Sequence, residues 1–175
     1  MPARVLVVDD VLLNVKLLEA KLSSEYFDVL LAYDGPEALR VIEENPPDLI
    51  LLDVMMPGMD GFEVCRRIRG NPATMHLPVI MVTALNDPSA RVQGLEAGAD
   101  DFLTKPVDDV ALFARVRSLL RLKMMMDEWL LREQTSQQLA MMDAPNTLNA
   151  IAFRGASILL VEDKVIDSAN LREAL

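Results

Sequence analysis

Four short apolar runs in this chain each end in residues that can do chemistry. The runs and the residues that follow them are Val5–Val8 with Asp9 and Asp10, Leu49–Leu52 with Asp53, Val79–Val82 with Thr83 and Ala84, and Phe102–Thr104 with Lys105. Continuous runs of this kind are typical of parallel strands that are buried on both faces. Open α/β sheets place their sites just beyond the carboxyl ends of such strands. The sequence therefore predicts that three acids, a hydroxyl and an amine meet in one site.

From residue 4 to about residue 105 the chain alternates between strand and helix patterns. Strands are predicted over residues 4–8, 28–32, 48–52, 78–82 and 101–103, and a helical pattern follows each of them. This alternation predicts a parallel sheet with helices on both faces. The second strand ends without a chemically active residue, which places it at an edge and favours the order 2-1-3-4-5. The predicted fold class is therefore α/β, a flavodoxin-like doubly wound five-stranded parallel sheet.

Composition and charge narrow the range of functions. The 175 residues carry a formal net charge of −10, which argues against binding to nucleic acid or to an anionic membrane, because both require basic patches. The negative net charge can promote solubility or attract a basic partner, and the sequence leaves both explanations open. No apolar run reaches the roughly 18 residues of a membrane helix, and the amino terminus lacks a basic, apolar leader. With Cys65 as the only cysteine, we expect a cytoplasmic protein without internal disulfides.

The fifth predicted helix is unusually long. Residues 107–144 contain no Gly or Pro, and an apolar stripe continues past Leu122. Asp108 or Asp109 can cap the amino-terminal end of this helix. A helix that ran to residue 141 would reach about 50 Å at 1.5 Å per residue, which is longer than the surface of one such domain. Residues 123–141 are therefore predicted to be a C-terminal extension of this helix that packs against another domain or another copy of the chain.

The end of the chain repeats its beginning. Residues Ser157–Asp163, with the sequence SILLVED, resemble Arg4–Asp10, with the sequence RVLVVDD. Self-similarity of this kind indicates a duplicated unit. Residues 157–175 hold only the first strand and helix of the second copy, so this unit is predicted to be cut off early. A linker is predicted over residues 142–156, and the first domain over residues 1–122.

The chemistry of the predicted site follows from its residue types. Asp9, Asp10 and Asp53 would repel one another if all were ionised, and the pKa of at least one would rise. A divalent cation removes this conflict, and Mg²⁺ (or Mn²⁺ in its place) prefers oxygen ligands and keeps water molecules that a phosphorylated ligand can replace. A carboxylate that is already ionised at pH 7 can attack phosphorus without a general base, so Asp53 is available as a nucleophile.

Three further groups complete a phosphoryl-transfer site. Lys105 would supply a point charge to phosphoryl oxygens, while the Thr83 hydroxyl and the backbone N–H of Ala84 would donate hydrogen bonds. A metal, a cation and oriented donors are the usual components of such a site. The pattern therefore predicts that Asp53 becomes an aspartyl phosphate.

These residues resemble the receiver domain of two-component response regulators. The likeness spans about residues 3–122, and its motifs are Asp9-Asp10, Asp53, the turn MMPGMDG over residues 55–61, Thr83-Ala84 and Lys105-Pro106. It implies that Asp53 accepts a phosphoryl group from the phosphohistidine of a histidine kinase or a phosphotransfer protein. The chain would then be a phosphoacceptor and not a turnover enzyme.

The resemblance also implies roles for individual residues. The metal would be held by Asp53 and the Met55 carbonyl together with one or both of the preceding acid pair. Thr83 and Phe102 would act as a coupled switch. Phe102 carries no hydroxyl, although many receivers have one at this position, so signalling through such a hydroxyl would be absent.

The longer pattern is similar to PleD-type regulators, which carry two tandem receivers, joined by an extended helix, ahead of a diguanylate cyclase domain. The similarity lies in the opening, the long fifth helix, the linker and the start of the second unit. It implies a homodimer in which phosphorylation controls an output domain. The motif of the cyclase domain is absent from these 175 residues, so that output would lie outside them.

Two other functions compete with this prediction. Haloacid dehalogenase-like phosphatases also use an aspartyl nucleophile, but they carry a second Asp two residues later, where this chain has Met55. A phosphorylation-independent dimerisation module with a vestigial site would keep the same fold and the same long helix. The response of the oligomeric state to a phosphoryl mimic distinguishes this module from a phosphorylated switch.

Overall fold

The computed structural model of the chain describes residues 2–84 and 88–142, with side chains for all of these except 88 and 133–142. In this part of the chain, five parallel strands form one sheet. The strands are β1 (Arg4–Val8), β2 (Asp28–Ala32), β3 (Leu49–Asp53), β4 (Val79–Thr83) and β5 (Asp101–Thr104). Their order is β2-β1-β3-β4-β5, which confirms the flavodoxin-like doubly wound sheet predicted from the sequence.

Five helices lie between and after the strands in the described residues. They are α1 (Leu12–Ser24), α2 (Gly35–Glu44), α3 (Gly61–Gly70), α4 (Pro88–Glu96) and α5 (Asp109–Met142). The Asp34, Asp60 and Asp108 side chains each accept a hydrogen bond from the backbone N–H three residues later. Such caps satisfy N–H groups that the first helical turn leaves unpaired, and each contributes about 1 kcal/mol. Of the two aspartates that could cap α5, the structure uses Asp108.

The two faces of the sheet bury separate apolar layers. Helices α2 and α3 pack on one face, and α1 and the first half of α5 pack on the other. All five residues of β3 and all five of β4 are buried, because helices cover these central strands on both sides. This double burial explains why the two strands consist of continuous apolar runs. It also holds their carboxyl ends in fixed positions, where the candidate site lies.

Helix α5 changes its surroundings along its length. Leu112 and Val116 are fully buried against the sheet, whereas Leu122 and Trp129 are 53% and 62% exposed. The second half of the predicted apolar stripe is therefore exposed in the part of the chain that the structure describes. None of the described helices combines the length and the apolar content that crossing a membrane would require.

The strand boundaries differ slightly from those predicted. Strands β3 and β4 begin and end one residue later than expected, so Asp53 and Thr83 are the last residues of their strands and pair with Val82 and Thr104. Backbone pairing continues past the last apolar side chain, which a side-chain pattern cannot reveal. The predicted linker beyond Met142 and the predicted second unit lie outside the described residues, and the predicted domain limits stay predictions.

Candidate functional site at the carboxyl edge of the sheet

The three predicted acids lie together at the carboxyl ends of β1 and β3. These strands are neighbours, so the residues that end them meet at one edge of the sheet. Asp9, Asp10 and Asp53 each offer a carboxylate oxygen, and these oxygens lie within 4.8 Å of one another. Asp9 and Asp53 are buried, with 1% and 4% of their surface exposed, whereas Asp10 is exposed. The cluster is therefore enclosed on one side and open to water on the other.

Lys105 balances the charge of this cluster. Its Nζ atom lies 2.6 Å from Asp9 Oδ2 and 3.0 Å from Asp53 Oδ1. Its backbone N–H donates to the Thr83 carbonyl at 2.9 Å, which ties the end of β5 to the end of β4. Burial, the largest single influence, would lower the pKa of Lys105, but the hydrogen bonds to Asp9 and Asp53 and the charges of these two acids together raise the pKa above its usual value. Lys105 is therefore a fixed cation at neutral pH.

The pKa of Asp53 is raised above its ordinary value. The largest cause is burial, which disfavours the charged carboxylate, and the nearby charge of Asp9 acts in the same direction. The hydrogen bond and charge of Lys105 oppose this effect, as does a hydrogen bond from the backbone N–H of Met55. The sequence predicted a raised pKa from repulsion among the acids, whereas in the structure desolvation is the larger cause.

The turn between β3 and α3 is fixed by backbone contacts. The Gly61 N–H donates to the Val54 carbonyl at 3.0 Å, which closes the turn directly behind Asp53. Gly58 has a φ of 78°, in the left-handed region that favours glycine. The Met55 side chain is exposed, and the residue lies in this turn two positions after Asp53. The turn therefore keeps the Met55 backbone beside the acid cluster.

Thr83 and Phe102 lie on the same face of the sheet, on adjacent strands. Phe102 pairs with Met81, and the alternation of side chains along a strand places Met81 and Thr83 on one face. Thr83 is buried and Ala84, which follows it, is exposed. The buried Phe102 ring packs so closely on α4 that a Cβ atom added at Gly94 would lie 2.5 Å from it. The Phe102 ring therefore lies directly against α4 at Gly94.

Asn14 is a member of the site that sequence reasoning missed. Its Nδ2 atom donates to both carboxylate oxygens of Asp9, at 3.1 Å each. The backbone N–H of Val11 donates to Asp9 Oδ1 at 2.9 Å. Its position in the sequence could have indicated this role. A polar residue in the first turn of the helix that follows an acid pair can reach back to that pair.

The fold and the residues at its carboxyl edge define a receiver domain of the kind that two-component signalling uses. The family model described as "Response regulator receiver domain" matches residues 5–117, and the chain belongs to this family. The chain therefore contains a receiver domain of a two-component response regulator, as the sequence predicted.

The similarity to a particular regulator extends further along the chain. Response regulator PleD of Caulobacter vibrioides (strain NA1000 / CB15N) is 53% identical to it over 164 residues, which cover 93% of this chain and 36% of PleD. The chain thus spans about a third of the length of this relative. The PleD-type resemblance inferred from the sequence is confirmed.

Solved structures show the same fold. A candidate response regulator from Chloroflexus aurantiacus J-10-fl is 41% identical with a TM-score of 0.67, over 69% of this chain and 99% of that one. The receiver domain of the sensor histidine kinase PA1611 from Pseudomonas aeruginosa PAO1 is 32% identical with a TM-score of 0.64, and the match covers 69% of this chain and 98% of that domain. That second structure has a magnesium ion coordinated in its active-site cleft.

Proposed function

We propose that this chain accepts a phosphoryl group on Asp53 from the phosphohistidine of a histidine kinase or a phosphotransfer protein. A carboxylate oxygen of Asp53 attacks phosphorus, the P–N bond to the imidazole breaks, and the released imidazole takes up a proton from water. The observation that carries this proposal is the Lys105 ammonium, which lies 3.0 Å from Asp53 Oδ1. A fixed cation at this distance can stabilise the negative oxygens of a phosphoryl group bonded to Asp53.

The acid cluster fits a divalent metal ion of the Mg²⁺ type. Its three carboxylates offer hard oxygen ligands, and the exposed side at Asp10 leaves room for the water molecules that Mg²⁺ retains. Asp9, Asp10, Asp53 and the Met55 carbonyl would hold Mg²⁺, or Mn²⁺ in its place. A bound ion would neutralise the repulsion between the acids and the incoming phosphoryl group. The magnesium ion in the PA1611 receiver domain supports this assignment.

Phosphorylation would change the surface of the domain at α4. The residues that would transmit this change are Thr83, Ala84 and Phe102. Strand β4 ends beside β3, so the Thr83 hydroxyl and the Ala84 N–H are the donors assigned to the phosphoryl oxygens. A Thr83 side chain that turned towards the phosphoryl group would leave space on the face it shares with Phe102. Because the Phe102 ring packs on Gly94, its movement into that space would alter α4.

The surface beside the site fits a partner that carries the phosphohistidine. Leu13 and Leu17 of α1 are 76% and 53% exposed on the same side of the helix. A groove of about 210 Å³ runs from Leu17 to Val107 and includes Lys105 in its lining. Exposed leucines that adjoin a charged site are typical of a protein-docking surface. We assign this surface to the histidine kinase or phosphotransfer protein.

The output of the switch is assigned to a domain outside this chain. The similarity to PleD covers 93% of the chain, so it continues beyond α5 into the predicted linker and second unit. This extent supports a tandem-receiver regulator that forms a homodimer and has a diguanylate cyclase output. The cytoplasmic location rests on the single cysteine of the sequence, because Cys65 has no second cysteine with which to form an internal disulfide.

Mass spectrometry after incubation with acetyl phosphate and Mg²⁺ tests the proposal. We expect one phosphoryl adduct in the wild type, no adduct in Asp53→Asn, and an undiminished adduct in Asp108→Asn, which replaces the aspartate that caps α5 outside the cluster. A wild type that takes up no phosphoryl group contradicts the proposal. An adduct that persists in Asp53→Asn contradicts it equally.

The exposed apolar residues of the α5 extension favour a second candidate, a dimerisation module that does not depend on phosphorylation. Leu122, Met126 and Trp129 lie at helical spacing on one side of α5 and are all more than half exposed. Sedimentation with and without beryllofluoride separates the candidates. A dimer that is identical in both conditions, with no effect of Mg²⁺, supports the module, whereas a shift towards dimer with beryllofluoride supports the switch.

A further inference from the structure

Asn14 holds the buried carboxylate of Asp9 from α1. The two Nδ2–oxygen distances are both 3.1 Å, so one amide group bridges the two oxygens. Asn14 is the third residue of α1, where its side chain can reach back towards the end of β1. The function proposed above gives this residue no role.

The donors around Asp9 leave no oxygen lone pair unused. Oδ1 accepts from the Val11 N–H and from Asn14, while Oδ2 accepts from Asn14 and from Lys105. A carboxylate offers about four such positions. A metal ion that binds Asp9 must therefore take the place of one of these donors.

Lys105 is the donor that a cation would replace. It is itself positively charged, so it competes with a metal ion for Oδ2, and it also contacts Asp53. The Val11 N–H and the Asn14 amide are neutral, and they can stay on Asp9 without repelling the ion. Once Lys105 leaves Oδ2, the Val11 N–H and the Asn14 amide are the remaining donors among the described residues that hold the plane of the Asp9 carboxylate.

We propose that Asn14 is a positioning residue that orients Asp9 for a divalent cation, which would displace Lys105 from Asp9 and leave it to serve the phosphoryl group. The inference rests on the proposed function and deepens it. A lysine or arginine at this position could also bind Asp9, but it would add a charge that opposes the cation. A neutral amide supplies the geometry without that charge.

The test is the affinity of the full chain for Mn²⁺, measured from the electron paramagnetic resonance signal of the free ion. We expect Asn14→Leu, which has a similar volume and no donor, to bind Mn²⁺ at least about tenfold more weakly, the usual loss when a ligand loses its supporting hydrogen bond. Asn14→Ala should also bind more weakly. Both replacements favour helix, so α1 persists, and cooperative urea unfolding verifies this.

The control is Ser24→Ala at the other end of α1, where the hydroxyl donates to the Lys21 carbonyl and not to the cluster. It should bind Mn²⁺ as the wild type does. Affinity within twofold of wild type in Asn14→Leu overturns the inference while leaving the proposed function intact. A wild type that binds no Mn²⁺ contradicts the proposed metal site itself, whatever the variants do.

Discussion

Gly61 lies so close to the backbone of Asp53 that a Cβ atom at position 61 would be 2.2 Å from the Asp53 carbonyl oxygen. The same atom would be 2.9 Å from the Cα atom of Val54. Backbone atoms at the end of a buried strand cannot move aside as the tip of a flexible side chain can. The start of α3 and the end of β3 can therefore approach each other only because residue 61 has no side chain.

Replacement of Gly61 by alanine should damage both stability and the site. The added methyl group pushes β3 and α3 apart, so we expect Gly61→Ala to lower the free energy of unfolding by about 1–3 kcal/mol and to weaken Mn²⁺ binding through displacement of Asp53. Urea denaturation and Mn²⁺ titration measure the two effects. Gly70→Ala is the matched control, because a Cβ atom there meets nothing within 4 Å. Equal effects of the two substitutions would refute the steric argument.

The raised pKa of Asp53 predicts a pH-dependent cost to stability. Burial raises the folded-state pKa above 3.8, so the folded state binds this proton more tightly than the unfolded state does. Stability is therefore lost as the pH rises from about 3.8 through the raised pKa. Asp53→Asn keeps the neutral form at every pH, and in EDTA at pH 7 we expect it to be more stable than the wild type.

Chemical denaturation across the pH range provides the measurement for Asp53→Asn. The stability difference between variant and wild type should shrink as the pH falls towards 3.8, because the wild-type carboxyl then becomes neutral as well. Saturating Mg²⁺ should stabilise the wild type more than the variant, since binding to the folded state alone adds stability. A difference that grows on acidification is incompatible with a raised pKa.

Tyr26 offers a stabilising substitution far from the site. It lies two residues after the end of α1 with a φ of 64°, and the N–H groups of Tyr26 and Phe27 donate to the carbonyls of Ser23 and Leu22. This pattern favours glycine, whereas the tyrosine is strained there and 88% exposed. Tyr26→Gly should raise the free energy of unfolding by about 1 kcal/mol. Tyr26→Ala removes the ring but keeps the strain, and thermal denaturation should show no comparable gain for it.

The leucines on α1 predict a defect that depends on the phosphoryl donor. Leu17→Glu places a charge on the proposed docking surface but leaves the acids and Lys105 unchanged. We expect transfer from a phosphorylated histidine kinase to slow at least about tenfold, the effect of losing about 1.4 kcal/mol of contact, while phosphorylation by acetyl phosphate keeps its rate. Met75→Glu, at an exposed position before β4, should leave both rates unchanged. If Leu17→Glu slowed phosphorylation equally with the histidine kinase and with acetyl phosphate, Leu17 would act in the phosphorylation site and not in docking.

Several elements of this fold could be predicted from local residues alone. The strand Leu49–Asp53 was recognisable because double burial demands apolar side chains on both faces, and Asp34 was recognisable as a cap three residues before Glu37. The strand order followed from the one strand that ends without a reactive residue. The site composition followed from the same rule, since parallel strands bring their carboxyl ends to one edge.

What the sequence by itself determined is therefore the set of strands and the acids, hydroxyl and amine that end them, because local burial and periodicity set these. The strand order followed because sites lie beyond the carboxyl ends of neighbouring parallel strands. Only the tertiary structure decided how these groups meet. Lys105 contacts both Asp53 and Asp9, which lies 96 residues earlier in the chain. Asn14 reaches back to Asp9, and desolvation is the largest cause of the raised pKa of Asp53. Each of these depends on distances between elements that long-range packing sets, and a local pattern carries no information about such distances.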